Sequence, residues 1–229
     1  MIALAFSLVT TLALPADRIT DTSGRPVFIA SLPCSNRLQA TSSGFVMTDE
    51  TVVTVAHALF ESRDFAVRDA AGNWHEARVR YMDLERDLAV LAVPGLRADD
   101  MTTGRASAGT AVRVVDGSAS GTIEGEVLRP VRISTEIIGD TSQQSERSGY
   151  ELSTPVIGGD SGAAVVDDDD NLIGVIFARS TRREAAWATS VSEIDAVLGL
   201  EGVPSWECEP DPEARLDLLP VREPARLAG

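Results

Sequence analysis

The segment Gly158-Gly159-Asp160-Ser161-Gly162 is the part of this chain best suited to present a reactive hydroxyl. A serine nucleophile needs a sharply turned backbone that exposes Oγ while nearby amides converge on the oxygen that becomes charged. Glycines permit both the turn and the close approach. The amides of Gly159 and Ser161 are the expected oxyanion donors. A plain turn between strands is the competing reading, since Gly, Asp and Ser are all turn formers.

Such a hydroxyl needs a base, and the chain has two histidines. In Thr54-Val55-Ala56-His57-Ala58-Leu59 a β-branched strand delivers His57 to the point where the chain leaves the sheet, fixed yet open to a cleft. His75, in Asn73-Trp74-His75-Glu76, lies inside an alternating hairpin strand among polar neighbours and reads as a solvated surface residue. An acid is also at hand. In Arg86-Asp87-Leu88-Ala89-Val90-Leu91, Asp87 opens an apolar strand, where a partly buried carboxylate can fix the tautomer of an imidazole. Asp83 and Glu85 compete, but neither leads directly into the apolar run. Together His57, Asp87 and Ser161 would carry out acyl transfer without a cofactor.

The elements that must position these groups are short strands. Val27 to Leu32, Gly44 to Thr48, Thr51 to Ala56, Phe65 to Asp69, Trp74 to Tyr81 and Leu88 to Val93 form a first series, punctuated by turn signals at Asp49-Glu50 and at residues 70–73. A polar, Gly-containing stretch without pattern follows. The second series is Ala111 to Val115, Thr122 to Leu128, Val131 to Ile138, Tyr150 to Thr154, Ala163 to Val166, Leu172 to Ala178 and Ala186 to Val191. One helix is expected after it, capped by Ser192, with Ile194, Val197 and Leu198 on its apolar face and Gly199 at its end. This order predicts an all-β fold of two antiparallel barrels and a closing helix, with barrels over 25–97 and 110–208 and a linker over 98–109. Residues 209–229 are Pro-rich and acidic and are expected to lack fixed structure.

Composition narrows the setting. The net charge of −15 disfavours a nucleic-acid partner, since phosphate backbones repel such a surface and no basic cluster offsets it. The apolar run from Ile2 to Leu14, followed by Pro15 and Ala16, has the length of an export signal and is too short to span a bilayer, although no Lys or Arg precedes it. A buried first strand or a displaced start is the alternative. With 1–16 read as a signal peptide, the product is secreted or periplasmic, with no integral membrane span after cleavage. Cys34 and Cys208 flank the patterned region, and in an oxidising compartment a disulfide between them would tie its two ends together. Two independent thiols are the other possibility. Two Cys and two His, all widely separated, fit no zinc site, and no metal is expected. Asp167 to Asp170 reads as a solvated hairpin loop, with calcium a minor alternative.

Taken together, the His57, Asp87 and Ser161 motifs resemble the trypsin-like serine protease superfamily, which has the same order of His, Asp and Ser on either side of a linker. The pattern Ser43-Gly44-Phe45-Val46, then Thr54-Val55-Ala56-His57, then Asp87-Leu88-Ala89-Val90-Leu91 is similar to the bacterial HtrA-like and MarP-like periplasmic branch. The likeness covers Val27 to Cys208. It implies two six-stranded antiparallel β-barrels with the triad in the cleft between them, a serine endopeptidase activity and a polypeptide substrate. It also implies a primary specificity pocket with Pro155 near its base and Phe177, Ala178, Arg179 and Ala186 at its walls. No charge lies at that base, so cleavage after small or medium apolar residues is expected rather than after Arg or Lys. The sequence departs from the family at Gly162-Ala163-Ala164, where Gly-Gly-Pro is usual. It also has no Ile-Val-Gly-Gly activation segment to pair with Asp160. The multi-span membrane region of MarP-type relatives and an HtrA-type PDZ domain are likewise not expected. A catalytically silent binding module of the same fold, or an esterase with the same triad, are the competing functions.

Overall fold

In the computed structural model, residues 19, 25–34, 39–117, 122–180, 182–208 and 216 are described. The expected leader (1–16) and, apart from Leu216, the expected tail (209–229) lie outside the described residues. The first seven strands are β1 (Pro26–Pro33), β2 (Ala40–Thr48), β3 (Thr51–Thr54), β4 (Ser62–Arg68), β5 (Trp74–Glu76), β6 (Arg78–Asp83) and β7 (Leu88–Ala92). They form one antiparallel sheet in the order β5-β4-β1-β2-β3-β7-β6. The next six are β8 (Ala111–Val115), β9 (Thr122–Ile137), β10 (Asp140–Leu152), β11 (Ala164–Val166), β12 (Leu172–Arg179) and β13 (Ala186–Ser190). These close into a barrel in the order β10-β13-β12-β11-β8-β9.

The all-β class, the two successive strand units and the late helix are as expected. The strand counts differ: the first unit has seven strands, and backbone pairing closes only the second. The extra strand arises because Trp74 to Tyr81 is two strands broken at Ala77. Three residues of it pair with β4 and the remainder, as β6, pairs with β7.

Continuous apolar runs mark strands buried on both faces. In β7, Leu88 and Val90 face one apolar cluster while Ala89 and Leu91 face another. Phe45 and Val53 take the first side, and Val46 and Val52 the second. One cluster fills the first unit. The other also contains Val115, Ala164, Val166, Leu172, Val175 and Ile194, so it cements the first sheet to the second barrel. A third cluster, around Val112, Leu152, Val165 and Ile173, fills that barrel. Each fully buried aliphatic side chain here contributes about 1.5–3 kcal/mol.

Two sequence expectations change in the second unit. Thr122 to Leu128 and Val131 to Ile138 are a single 16-residue strand that runs through Pro130. Pairing with β8 stops at Glu126, so Pro130 sits where one edge of β9 needs no donor. Strand β10 begins at Asp140, ten residues before the apolar signal at Tyr150. Its polar first half is held by β9 rather than by a core, which is why hydrophobic patterning does not reveal it. The helix α1 (Val191–Asp195) is capped by Ser190, whose side chain accepts from the Ser192 amide; Ser192 itself is the second residue of the helix. Among the described residues no helix is long and apolar enough to cross a membrane.

Candidate active site

His57 lies in a single 3₁₀ turn, Ala56–Ala58, that ends strand β3. Its Nδ1 is 2.9 Å from Asp87 Oδ2 and 3.1 Å from Oδ1, and its backbone amide donates to Oδ1 at 2.9 Å. The carboxylate therefore fixes both the ring and the turn that carries it. Asp87 is 6% exposed, whereas the His57 side chain is 39% exposed, so one nitrogen is anchored inside and the other side of the ring faces solvent.

Asp87 reaches this position through a tight loop. Asp83 Oδ1 accepts the amides of Glu85 and Arg86 at 3.0 and 2.8 Å, folding the chain back, and Asp87 adopts φ +54° before β7 begins. Aspartate tolerates the left-handed region better than most residues. Asp83 is thus committed to shaping the loop and to pairing with Arg86 at 2.9 Å, while Glu85 is exposed. Of the three acids, Asp87 is the one bonded to His57.

The serine loop belongs to the second unit but is docked on the first. The Ser43 amide donates to the Ser161 carbonyl at 2.8 Å, and Ser43 Oγ donates to the Gly159 carbonyl at 2.9 Å. Thr54 Oγ1, three residues before His57, donates to the Ser43 carbonyl at 2.7 Å. The strand pair β2–β3 therefore carries His57 and receives the loop of Ser161. Gly159 (φ +101°) and Gly162 (φ +90°) take backbone conformations that favour glycine. Among the described residues, the Gly159 and Ser161 amides donate to no acceptor. Asp160 is buried, and its Oδ2 accepts the Ile157 amide at 2.8 Å, closing the turn ahead of the serine. The side-chain partner that the sequence did not supply for Asp160 is thus met partly by its own loop.

The residues expected around a specificity pocket are spread over the second unit. Pro155 is exposed in the segment leading to the serine loop. Phe177 and Ala178 are half-buried and Arg179 is exposed at the end of β12. A cavity of about 600 Å³ lies beside Phe177 and Ala178, walled by Trp187 and by residues 129–135 of β9. Ala186 is fully buried in the same apolar cluster as Val156 and Ala163, which flank the serine loop.

Cys34 and Cys208 form a disulfide spanning 174 residues of sequence. His75 departs from its expected solvated state: its Nε2 is 2.8 Å from Asp69 Oδ2 and its side chain is only 19% exposed. The tight turn between β4 and β5 brings the acid of one strand end against the ring on the other. In the 167–170 loop, Asp167 Oδ1 accepts the amides of Asp169 and Asn171, and Arg113 pairs with Asp170. Sequence reasoning missed the docking role of Ser43 and Thr54, although both lie in motifs it singled out. It also missed Arg147, which had no apolar pattern around it.

The sequence matches the trypsin-like peptidase domain family over residues 42–175. It is 29% identical over 175 residues to the serine proteases Rv3671c and MT3772 of two Mycobacterium tuberculosis strains, covering 74% of this chain. The chain spans 43% of the length of these curated relatives. Among solved structures, the active form of the Rv3671c protease from M. tuberculosis superposes with a TM-score of 0.74 at 22% identity, over 90% of this chain and 96% of that one. An inactive form of the same protease gives 0.67 at 26% identity, over 80% and 91%. A substituted form of the HtrA-type protease AlgW, with tripeptide, gives 0.66 at 19% identity, over 77% and 59%. The family match extends over more than half of the chain and includes His57, Asp87 and Ser161, and the fold agrees with it, so the chain belongs to the trypsin-like peptidase domain family.

Proposed function

We propose that this chain is an exported serine endopeptidase that cleaves peptide bonds through an acyl-enzyme, with His57, Asp87 and Ser161 as its triad. Ser161 Oγ attacks the scissile carbonyl carbon while His57 Nε2 takes its proton. Asp87, bonded to Nδ1, holds the tautomer and stabilises the imidazolium. The oxyanion is received by the amides of Gly159 and Ser161, each worth about 3 kcal/mol in the transition state. His57 then protonates the leaving amine, and water releases the acyl group by the same route in reverse.

The observation that carries this reading is the His57–Asp87 bond at the end of the strand pair on which the serine loop is docked. Two further features support a polypeptide substrate. Pairing of β12 with β11 ends at Val175, so Phe177 to Arg179 offers a strand edge to an extended peptide. Pro155 brings no charge to the base of the proposed pocket and Arg179 stands at its wall, which favours small or medium apolar side chains over Arg or Lys. Export agrees with the Cys34–Cys208 disulfide and with a leader at 1–16.

Labelling with a fluorophosphonate probe tests the proposal. The adduct should map to Ser161 and vanish in Ser161→Ala and His57→Ala. No labelling of the folded, oxidised protein would overturn the hydrolase reading in favour of a silent binding module. Turnover of peptide against ester substrates then separates protease from esterase, and strong selection for Arg or Lys in a peptide library would overturn the apolar pocket.

A further inference from the structure

Arg147 is a buried cation beside the proposed triad. It lies on β10, in the second unit, and is 2% exposed. Its Nη2 is 3.8 Å from Asp87 Oδ2, the oxygen that also meets His57 Nδ1. Nη1 donates to the Glu85 carbonyl at 3.1 Å and to Thr135 Oγ1 at 3.3 Å. The guanidinium stacks over the Phe177 ring at 4.4 Å, and Nε has no hydrogen-bond partner. A buried charge costs several kcal/mol unless other charges compensate it.

The charges around it are few and mostly committed elsewhere. Asp83 and Glu193 both face Arg147, but each is already paired with Arg86, at 2.9 and 3.1 Å. Glu193 also accepts the Ser148 amide at 2.8 Å. Among the described residues, Asp87 is by contrast shared between His57 and Arg147. The cluster holds the carboxylates of Asp83, Asp87 and Glu193 against the guanidiniums of Arg86 and Arg147, with the Tyr81 phenol, which donates to Asp83 Oδ2 at 3.5 Å, and the His57 imidazole beside them. Burial pulls the Arg147 guanidinium below its ordinary value while Asp87, Glu193 and Asp83 push back; an arginine there stays cationic.

Resting on the reading of His57, Asp87 and Ser161 as a triad, we propose that Arg147 is a positioning residue for the His57–Asp87 pair. From the second unit it pins the Asp87 loop through Glu85 and, with its charge beside the shared carboxylate, opposes the positive charge that His57 acquires on taking a proton. Ser145 Oγ on the same strand also donates to the Glu85 carbonyl, at 2.7 Å, so the loop is gripped at one point by two side chains of β10.

The test uses histidine titration by NMR in the full chain. Carbon-13-labelled histidine in a Ser161→Ala background gives two resonances, and His75→Gln assigns them. Arg147→Met should move the His57 midpoint upward by about half a pH unit or more, because a cation that opposed the imidazolium has gone. Arg147→Lys should keep most of the wild-type midpoint, and His75 should not move in either. An unchanged His57 midpoint in folded Arg147→Met overturns the proposal. Arg147→Gln provides the same reading if the Met variant does not fold, and a chain that folds only with a cation at this position would make the role purely structural. With Ser161 restored, the acid limb of fluorophosphonate labelling should follow the NMR midpoint. Unlabelled wild type would defeat the hydrolase reading while leaving the NMR result to judge Arg147.

Discussion

Gly162 meets the tightest steric constraint at the proposed nucleophile. A Cβ built there would fall inside the van der Waals envelope of the Ser43 carbonyl oxygen and Thr54 Oγ1, in a backbone conformation that L side chains rarely adopt. Thr54 Oγ1 donates a hydrogen bond to that carbonyl, and both atoms lie on the strands that lead to His57. Gly162→Ala should therefore push the serine loop off its dock instead of merely straining it. We expect fluorophosphonate labelling to slow by about 100-fold or more, as a misplacement near 1 Å would cause. The fold itself should lose only about 1–3 kcal/mol. Labelling rate and thermal midpoint, read on one sample, check both; an unchanged rate would show that the dock does not place Ser161.

At the scale of elements, two hairpins illustrate different uses of charge. The turn between β4 and β5 is organised by Asp69, which accepts the Asn73 amide at 2.8 Å and pairs with His75. Burial alone would raise the Asp69 carboxyl, but His75 and Asn73 outweigh it and hold the group below the usual carboxylate range. A carboxyl lowered in the folded state contributes stability above its unfolded value, near 3.9, and loses it as pH falls through the folded one. Asp69→Asn should thus destabilise the chain at pH 7, with the gap to wild type closing in acid below about pH 4. Urea denaturation at a series of pH values checks this, and a gap that widened in acid would contradict it. The β9–β10 hairpin uses its polar residues at longer range. The Ile138 amide reaches the Leu84 carbonyl at 3.4 Å, and Ser145 and Arg147 both reach Glu85. One loop of the first unit, the one that presents Asp87, is thereby held by the second.

For the whole molecule, the units are joined by the shared apolar cluster, the docked serine loop, this hairpin and the Arg86–Glu193 ion pair, among other contacts. The disulfide acts on a different contact. It links Cys34, just after β1, to Cys208, near Trp206, whose Nε1 donates to the Ser62 carbonyl at 3.0 Å and whose ring meets Phe60 edge-on. The chain leaving α1 is thus fastened back onto the first sheet. Reduction, or Cys34→Ser with Cys208→Ser, should lower stability by about 2–5 kcal/mol through the freedom returned to the unfolded chain. Chemical denaturation with and without reductant measures the difference, and identical midpoints would show that packing alone holds the terminal segment.

His57, Asp87 and Ser161 were legible as candidates because each sits in a local pattern: a β-branched strand end, an acid opening an apolar run, a Gly-flanked serine. The all-β class followed from apolar residues that must be buried whatever the topology. Ser43 and Arg147 were not legible as working residues, since their partners lie far away in sequence: Gly159 is 116 residues from Ser43, and Glu85 is 62 from Arg147. Thr54 works through Ser43 and was hidden with it. The polar half of β10 gave no signal for the same reason, being held by cross-strand bonds and not by burial. Local chemistry and hydrophobic periodicity are properties of neighbouring residues, so the order of residues alone reveals which groups are available and what class of fold buries the rest. Which distant groups meet, such as Ser43 with the serine loop and Arg147 with the Asp87 loop, depends on loop closure and docking and is visible only in the folded chain.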